Sequence, residues 1–99
     1  MVELHQTNVV YVGRKDVMNY VLAAIRLFSD GAEEVVIRAR GTNICKAVDV
    51  AENIRNLFMK NTEVAGVNIY SEELEAQGGK KKRVSAIEIK LRKKREESS

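Results

Sequence analysis

Apolar residues recur along this chain in short segments whose spacing indicates secondary structure. The segment 8–13 is a β-branched run that ends in glycine, and it predicts a buried strand. The segment 33–40 alternates apolar and polar positions, which predicts a second strand with one buried side. The segments 67–74 and 83–92 predict two further strands, joined as a hairpin by a glycine-containing turn over 75–82.

Two other segments have the period of an amphipathic helix. The first helix begins after Asp16, which can cap it, and ends at the turn 29–31. The second follows Gly41, where Thr42 or Asn43 can provide the cap. The predicted apolar stripes are Val17, Tyr20, Val21, Ala24, Ile25 and Phe28 in the first helix, and Ile44, Ala47, Val48, Ala51, Ile54, Leu57 and Phe58 in the second.

The order of elements predicts a single β-α-β-α-β-β domain in an α/β (α+β sandwich) arrangement. The first two strands should be parallel and joined by a right-handed crossover. A four-stranded mixed sheet with both helices on one face would bury both apolar stripes. We expect a flexible N-terminus over 1–7, the domain over 8–92 with a hairpin arm at about 67–91, and a charged tail over 93–99.

The charge distribution is more informative than the net charge of +3. Nine of the 17 basic residues lie between 80 and 95. A second basic group lies in the loops that follow the two parallel strands and precede the helices. Free amides at a helix start and cationic side chains both favour phosphate binding, and Asn43 lies in the same loops. Ordinary surface loops and a merely solubilising hairpin turn remain alternatives. The basic residues of interest are Arg14, Lys15, Arg38, Arg40, Lys46, Lys80, Lys81, Lys82 and Arg83.

The sequence offers little for catalysis or metal binding. Cys45 lies in the first turn of the second helix, but His5 is the only histidine and lies in the N-terminal segment. We therefore expect a semi-buried cysteine that packs, no catalytic residue, no metal and no cofactor. One cysteine cannot form an internal disulfide, and the N-terminus has no apolar run, so we expect a cytoplasmic protein without a membrane partner.

Three segments, "NVVYVGRKDVMNYVLAA", "VIRARGTNICKAVDVAENIRNLF" and "RVSAIEIKLRK", together resemble the Alba family over nearly the whole chain. This family comprises small chromatin-associated nucleic-acid-binding proteins typical of archaea. The resemblance implies a homodimer whose basic loops and hairpin arms bind double-stranded DNA largely without sequence preference. Such a protein would coat, compact or bridge DNA, associate with the chromosome in the nucleoid, and bind RNA as well.

Matching positions assign roles to individual residues. The family's basic loop pair falls on Arg14 and Lys15, and its arginine and lysine in the following block fall on Arg40 and Lys46. Its arm falls on 80–83. An aromatic that helps neighbouring dimers associate falls on Phe58, for which a core position in the second helix is the alternative.

Three departures from the family pattern change these expectations. Arg14 replaces the first lysine of the pair, so acetylation by an acetyltransferase, reversed by a deacetylase, would fall on Lys15. Asp16 stands where proline is common, and Thr42 where a basic residue is frequent. Two other hypotheses remain open: an RNA-binding subunit of a ribonucleoprotein, and, ranked last, an enzyme that uses Cys45.

Overall fold

A computed structural model describes residues 8–94. Its elements follow the predicted order β-α-β-α-β-β, which is confirmed. The elements are β1 (Val9–Tyr11), α1 (Val17–Ser29), β2 (Glu34–Arg40), α2 (Ile44–Asn53), β3 (Thr62–Glu75) and β4 (Lys81–Lys93).

The four strands form one mixed sheet in the order β1-β2-β4-β3. β1 and β2 are parallel neighbours, as predicted, whereas β4 pairs antiparallel with both β2 and β3. This order leaves β1 and β3 at the two edges of the sheet and places the hairpin partners β3 and β4 side by side.

The hydrophobic core lies between one face of the sheet and both helices. Alternate residues of β2 and β4, such as Ile37 and Leu91, are fully buried there. Val21 and Phe28 of α1 join the same cluster. Each large side chain buried in this way contributes about 1.5–3 kcal/mol to folding. The opposite face of the sheet, which we call the open face, carries the polar partners of this alternation.

The second helix ends differently from the prediction. After Asn53 the chain widens into a π-helical turn, Ile54–Phe58, closed by a hydrogen bond from the amide of Met59 to the carbonyl of Ile54 at 2.6 Å. The wider turn changes the helical phase, so Leu57 and Phe58 are exposed. The prediction that these two residues lie in the core stripe is wrong, and it is wrong for Val48 as well, which is 41% exposed.

In the described part of the chain, neither α1 nor α2 begins with a side chain that caps a backbone amide of the helix. Asp16 occupies the predicted cap position of α1 with an extended backbone, but among residues 8–94 its side chain caps no amide. α2 follows a 3₁₀ turn over Gly41–Asn43, and Asn43 already has helical backbone angles. The prediction of a Thr42 or Asn43 side-chain cap is therefore wrong, because the chain reaches the helix through a continuous turn.

The hairpin strands are longer than predicted. β3 begins at Thr62 and contains a register shift between Val64 and Gly66, where a β-bulge adds one residue. β3 ends at Glu75 and β4 begins at Lys81, so the turn is shorter than 75–82. The positions of the predicted N-terminal segment 1–7, including His5, and of most of the predicted tail lie outside the described residues.

Candidate nucleic-acid interface

Two loops meet at one end of the sheet because β1 and β2 are parallel neighbours. The loop 12–16 follows β1 and the turn Gly41–Asn43 follows β2. The amide of Val12 donates to the carbonyl of Arg38 at 2.8 Å, which holds the start of the first loop against β2. We call this end of the sheet, with its two loops, the basic end.

The first of these loops is held from two directions. The ammonium of Lys46, reaching from α2, donates to the carbonyls of Gly13 and Lys15 at 2.7 and 2.8 Å. The amide of Lys15 donates to the hydroxyl of Tyr20 on α1 at 3.0 Å. Lys46, which the sequence assigns to phosphate binding, therefore uses its charge to position the loop that carries Arg14 and Lys15.

The side chains of Arg14 and Lys15 lie outside this arrangement. Both residues are exposed, although the backbone beneath them is fixed. Arg14 can donate two parallel hydrogen bonds to one phosphate, whereas Lys15 acts as a compact point charge. The loop thus presents two solvent-facing cations on a backbone that is already in place.

The hairpin projects from the same end of the sheet. The pairing of β2 with β4 runs from Glu34, opposite Arg92, to Arg40, opposite Ala86, and stops there. The segment 81–85 of β4 pairs with 71–75 of β3 and with no other described strand. Residues 71–85 therefore form a two-stranded projection, here called the arm, whose strands extend roughly 17 Å beyond the sheet at about 3.3 Å per residue.

The register of the arm sets its charge. Glu73 lies opposite Arg83 and Glu75 opposite Lys81, so these pairs share a face and partly neutralise each other. Lys82 lies opposite Leu74 instead. The arm has four basic residues, at 80–83, and three acidic ones, at 72, 73 and 75, which gives a net charge of only +1. The lysine run is thus less cationic than it looks in the sequence.

Arg40 connects the second loop to the base of the arm. Its guanidinium donates to the carboxylate of Glu72 on β3 at 2.9 Å. The contact crosses the open face over β4, which lies between β2 and β3. Asn43, in the adjoining turn, is half-buried. Gly41 between them has a φ of +60°, a conformation that residues with a Cβ rarely adopt. This left-handed backbone at Gly41 lets the chain turn from Arg40 toward α2.

Two residues of the open face, Tyr11 and Glu88, were not assigned to the site from the sequence, which grouped Arg38 with the basic loops alone. Arg38 donates to the Glu88 carboxylate and to the hydroxyl of Tyr11, the latter at 3.0 Å. Burial opposes the charge on Arg38, but the hydrogen bonds to Tyr11 and Glu88 outweigh it and raise the pKa of the guanidinium above its usual value. Arg38 is thus a permanently charged side chain that already has a carboxylate partner.

These residues surround a shallow depression of about 360 Å³ at the basic end of the open face. The alternation of β2, which directs both of its arginines away from the core, was the signal that could have located it. The lining residues include Tyr11, Arg38, Arg40, Asn43, Tyr70, Glu72 and Ala86.

The surroundings of Cys45 and of the acidic residues bear on the predictions for the described part of the chain, residues 8–94. Cys45 is exposed, so the prediction of a semi-buried cysteine that packs is wrong. Within residues 8–94, no group of three or more histidine, cysteine, aspartate or glutamate side chains could hold a metal ion. No helix in this part of the chain is long and apolar enough to span a membrane.

Known proteins are similar to this chain in sequence and fold. The Alba family model matches residues 8–71. A protein of Methanocella arvoryzae described as "DNA/RNA-binding protein Alba" is 49% identical over 90 residues, which cover 91% of this chain and 94% of that protein.

Two solved structures have the same architecture. Alba from Thermoplasma volcanium is 41% identical with a TM-score of 0.82, over 87% of this chain and 100% of that one. ALBA1 from Trypanosoma brucei is 26% identical with a TM-score of 0.74, over 91% of this chain and 72% of that one. Sequence and fold together show that this chain belongs to the Alba family.

Proposed function

We propose that this chain binds nucleic acid without sequence preference by neutralising phosphates at the basic end of its sheet. Alba family proteins are non-enzymatic nucleic-acid-binding proteins. The observation that carries the proposal is that both basic loops and the arm project from the same end. The M. arvoryzae relative, named for binding DNA and RNA, supports the same ligand class.

The proposed contacts are to the backbone of the nucleic acid. Arg14, Lys15 and Arg40 meet phosphates near the centre, with Asn43 as a neutral donor beside them. Lys80, Lys81, Lys82 and Arg83 follow the groove along the arm. Contacts of this type fix position and orientation but carry no sequence information, because every base pair has the same phosphates.

We also propose that the protein acts as a homodimer. Val64, Val67 and Ile69 lie on the face of β3 that is turned toward the helices, yet they are 42%, 58% and 75% exposed. We call these three residues the β3 strip. A continuous apolar strip on an edge strand favours burial against a second copy. Two copies would supply two arms and two pairs of loops, so that one dimer could coat, compact or bridge double-stranded DNA.

Two further roles follow for exposed residues. Phe58, 47% exposed beside the exposed Leu57, is proposed as the contact between neighbouring dimers on DNA. The Lys15 side chain is proposed as the acetylation target of an acetyltransferase and deacetylase. Since the loop is held through the backbone of Lys15, acetylation would remove one charge without releasing the loop. Such a protein would be associated with the chromosome in the nucleoid.

A second candidate function is that of an RNA-binding subunit in a ribonucleoprotein. Tyr11 and Tyr70 at the depression favour it, because proteins engage unpaired RNA bases through aromatic side chains. In this case structured RNA would be preferred over duplex DNA, while the loops and arm would still contact phosphates.

The test is a fluorescence-anisotropy titration against two unrelated DNA duplexes and one structured RNA at several salt concentrations. Similar affinities for both duplexes are expected, with log affinity falling by about 0.9 per log unit of salt for each phosphate neutralised. We call this dependence the salt slope. An affinity that does not respond to salt would refute phosphate neutralisation, and tight binding of RNA alone would select the second candidate.

A further inference from the structure

We propose that the depression on the open face binds one unpaired nucleobase, so that the protein engages single-stranded segments by stacking as well as by phosphate contacts. This inference rests on the proposed nucleic-acid-binding function and adds a separate site to it. It concerns residues that the phosphate contacts do not use, chiefly Tyr11 on β1 and Tyr70 on β3.

The pairing of the strands explains why a depression exists at this place. Tyr11 lies beside Arg38 in the sheet, and Arg40, Ala86 and Tyr70 form the next row across three strands. Ala86 is 3% exposed but is not part of the core cluster, because its methyl group lies on the open face under its larger neighbours. A small side chain between larger ones leaves a gap with Ala86 as its floor.

The walls of the gap have the chemistry that recognises a base. Tyr11 is 67% exposed, which leaves its ring available to a planar partner. The Arg38 guanidinium carbon lies 5.8 Å from the centre of that ring, and the guanidinium donates to the ring hydroxyl, which holds the ring in position. Stacking of a base on such a ring needs no particular base, since every base has a π-face.

The charges argue for a base rather than a phosphate. Arg38, which lies beside Tyr11, already has a carboxylate partner in Glu88. This pair has little net charge, so its attraction for a phosphate is weak. The same pair offers hydrogen-bond donors and acceptors to the edge of a base.

The strandedness of the ligand follows from how a base could reach the depression. The depression, of about 360 Å³, has room for one base. A base within a duplex is already stacked on both faces and paired along its edge, so it cannot enter. The ligand is therefore a base from a single strand, a loop or a bulge.

The first test compares a short unpaired RNA oligonucleotide with a duplex in the same anisotropy assay. Tyr11→Leu and Tyr70→Leu should each lower single-strand affinity at least about fivefold, the lower limit for stacking on an aromatic residue. Duplex affinity and the salt slope for either ligand should not change. Tyr11→Phe and Tyr70→Phe are the matched controls, because they keep the ring and should retain single-strand binding.

A second test observes the rings directly. The chain has three tyrosines, so ring-labelled tyrosine gives a simple NMR spectrum. The oligonucleotide should move the Tyr11 and Tyr70 ring signals upfield, whereas Tyr20, whose hydroxyl is bound to the loop backbone, serves as the reference. Unchanged Tyr11 and Tyr70 signals at saturation would overturn the proposal.

The outcomes separate this site from the proposed function. One outcome would overturn the base site alone. In it, the wild-type protein binds duplex with a steep salt dependence, and the leucine variants bind single strands as well as the wild type does. Leucine variants that lose duplex and single-strand affinity equally would also overturn it, since they would indicate a general structural effect. Wild-type protein without affinity for single strands would reject the site, whereas failure to bind duplex with a salt slope would reject the proposed function.

Discussion

Replacing Lys46 with methionine tests whether this residue positions the basic loop or binds phosphate itself. Lys46→Met keeps an unbranched apolar side chain as far as Cε but removes the ammonium. That ammonium holds the carbonyls of Gly13 and Lys15 across more than thirty residues of sequence. We expect the variant to lose stability while keeping its salt slope.

The magnitude follows from the two hydrogen bonds. A hydrogen bond from a charged donor contributes about 1.5–3 kcal/mol. One bond is partly buried and the other is exposed, so water replaces much of what is lost. We therefore expect the free energy of unfolding to fall by about 1–2 kcal/mol, less than two such bonds would contribute, because water can hydrogen-bond to the two carbonyls in the variant. For a domain of this size each kcal/mol lowers Tm by about 4–8 °C.

The assay pairs thermal unfolding with the salt slope, at one fixed protein concentration because a dimer's Tm depends on it. Lys15→Met is the matched control, since it removes an exposed cation from the same loop. It should leave Tm nearly unchanged and reduce the salt slope by about 0.9 per subunit that contacts DNA. The two variants should thus give opposite patterns.

The reasoning would be refuted by the reverse result for Lys46→Met. An unchanged Tm with a salt slope reduced as far as in Lys15→Met would show that Lys46 contacts a phosphate. Its bonds to the loop would then contribute nothing to stability.

Three other changes test the arm, the proposed dimer and the turn. The double variant Glu73→Gln, Glu75→Gln should raise duplex affinity in the anisotropy assay, because it removes the carboxylates opposite two arm cations. Unchanged affinity would mean that the arm does not reach DNA. Ile69→Lys should convert the dimer to a monomer in sedimentation equilibrium, and an unaltered mass would exclude the β3 strip as interface. Gly41→Ala should cost about 1–2 kcal/mol by chemical denaturation because of its left-handed backbone, whereas Gly66→Ala, with open space at its Cβ, should cost less.

The sequence predicted the fold because its apolar periods are clear. Ile37 and Ile89 alternate with charged neighbours, so each strand has only one face that can be buried. The predicted parallel pair β1 and β2 then located both basic loops at one end of the sheet. These predictions need only local patterns and the general rules for connecting strands and helices.

Other features depend on contacts between distant segments. The exposure of Phe58 follows from a π-helical turn, and a regular helical period cannot reveal such a turn. The role of Lys46 requires α2 to approach the first loop. The charge of the arm depends on the register of two strands, which the bulge near Gly66 shifts by one residue. The sequence shows which charges are present, but only the fold shows which of them are already paired.

The arm has a consequence for the dynamics of the protein. Its strands have each other as partners and no third strand among residues 8–94, and isolated two-stranded hairpins are only marginally stable in water. Its amide hydrogens should therefore exchange with solvent faster than those of the central strands. Gly78 and Gly79, with φ values of +79° and +78°, form its tip without backbone strain.

Any motion of the hairpin that is lost on binding would lower its affinity for every ligand by the entropy lost. In return, a hairpin that is not rigid can follow grooves of different width. The wide groove of B-form DNA and the differently shaped grooves of A-form RNA then become accessible to one protein. In the proposed function, tolerance of both nucleic acids would depend on the unsupported backbone of the arm as much as on its charges.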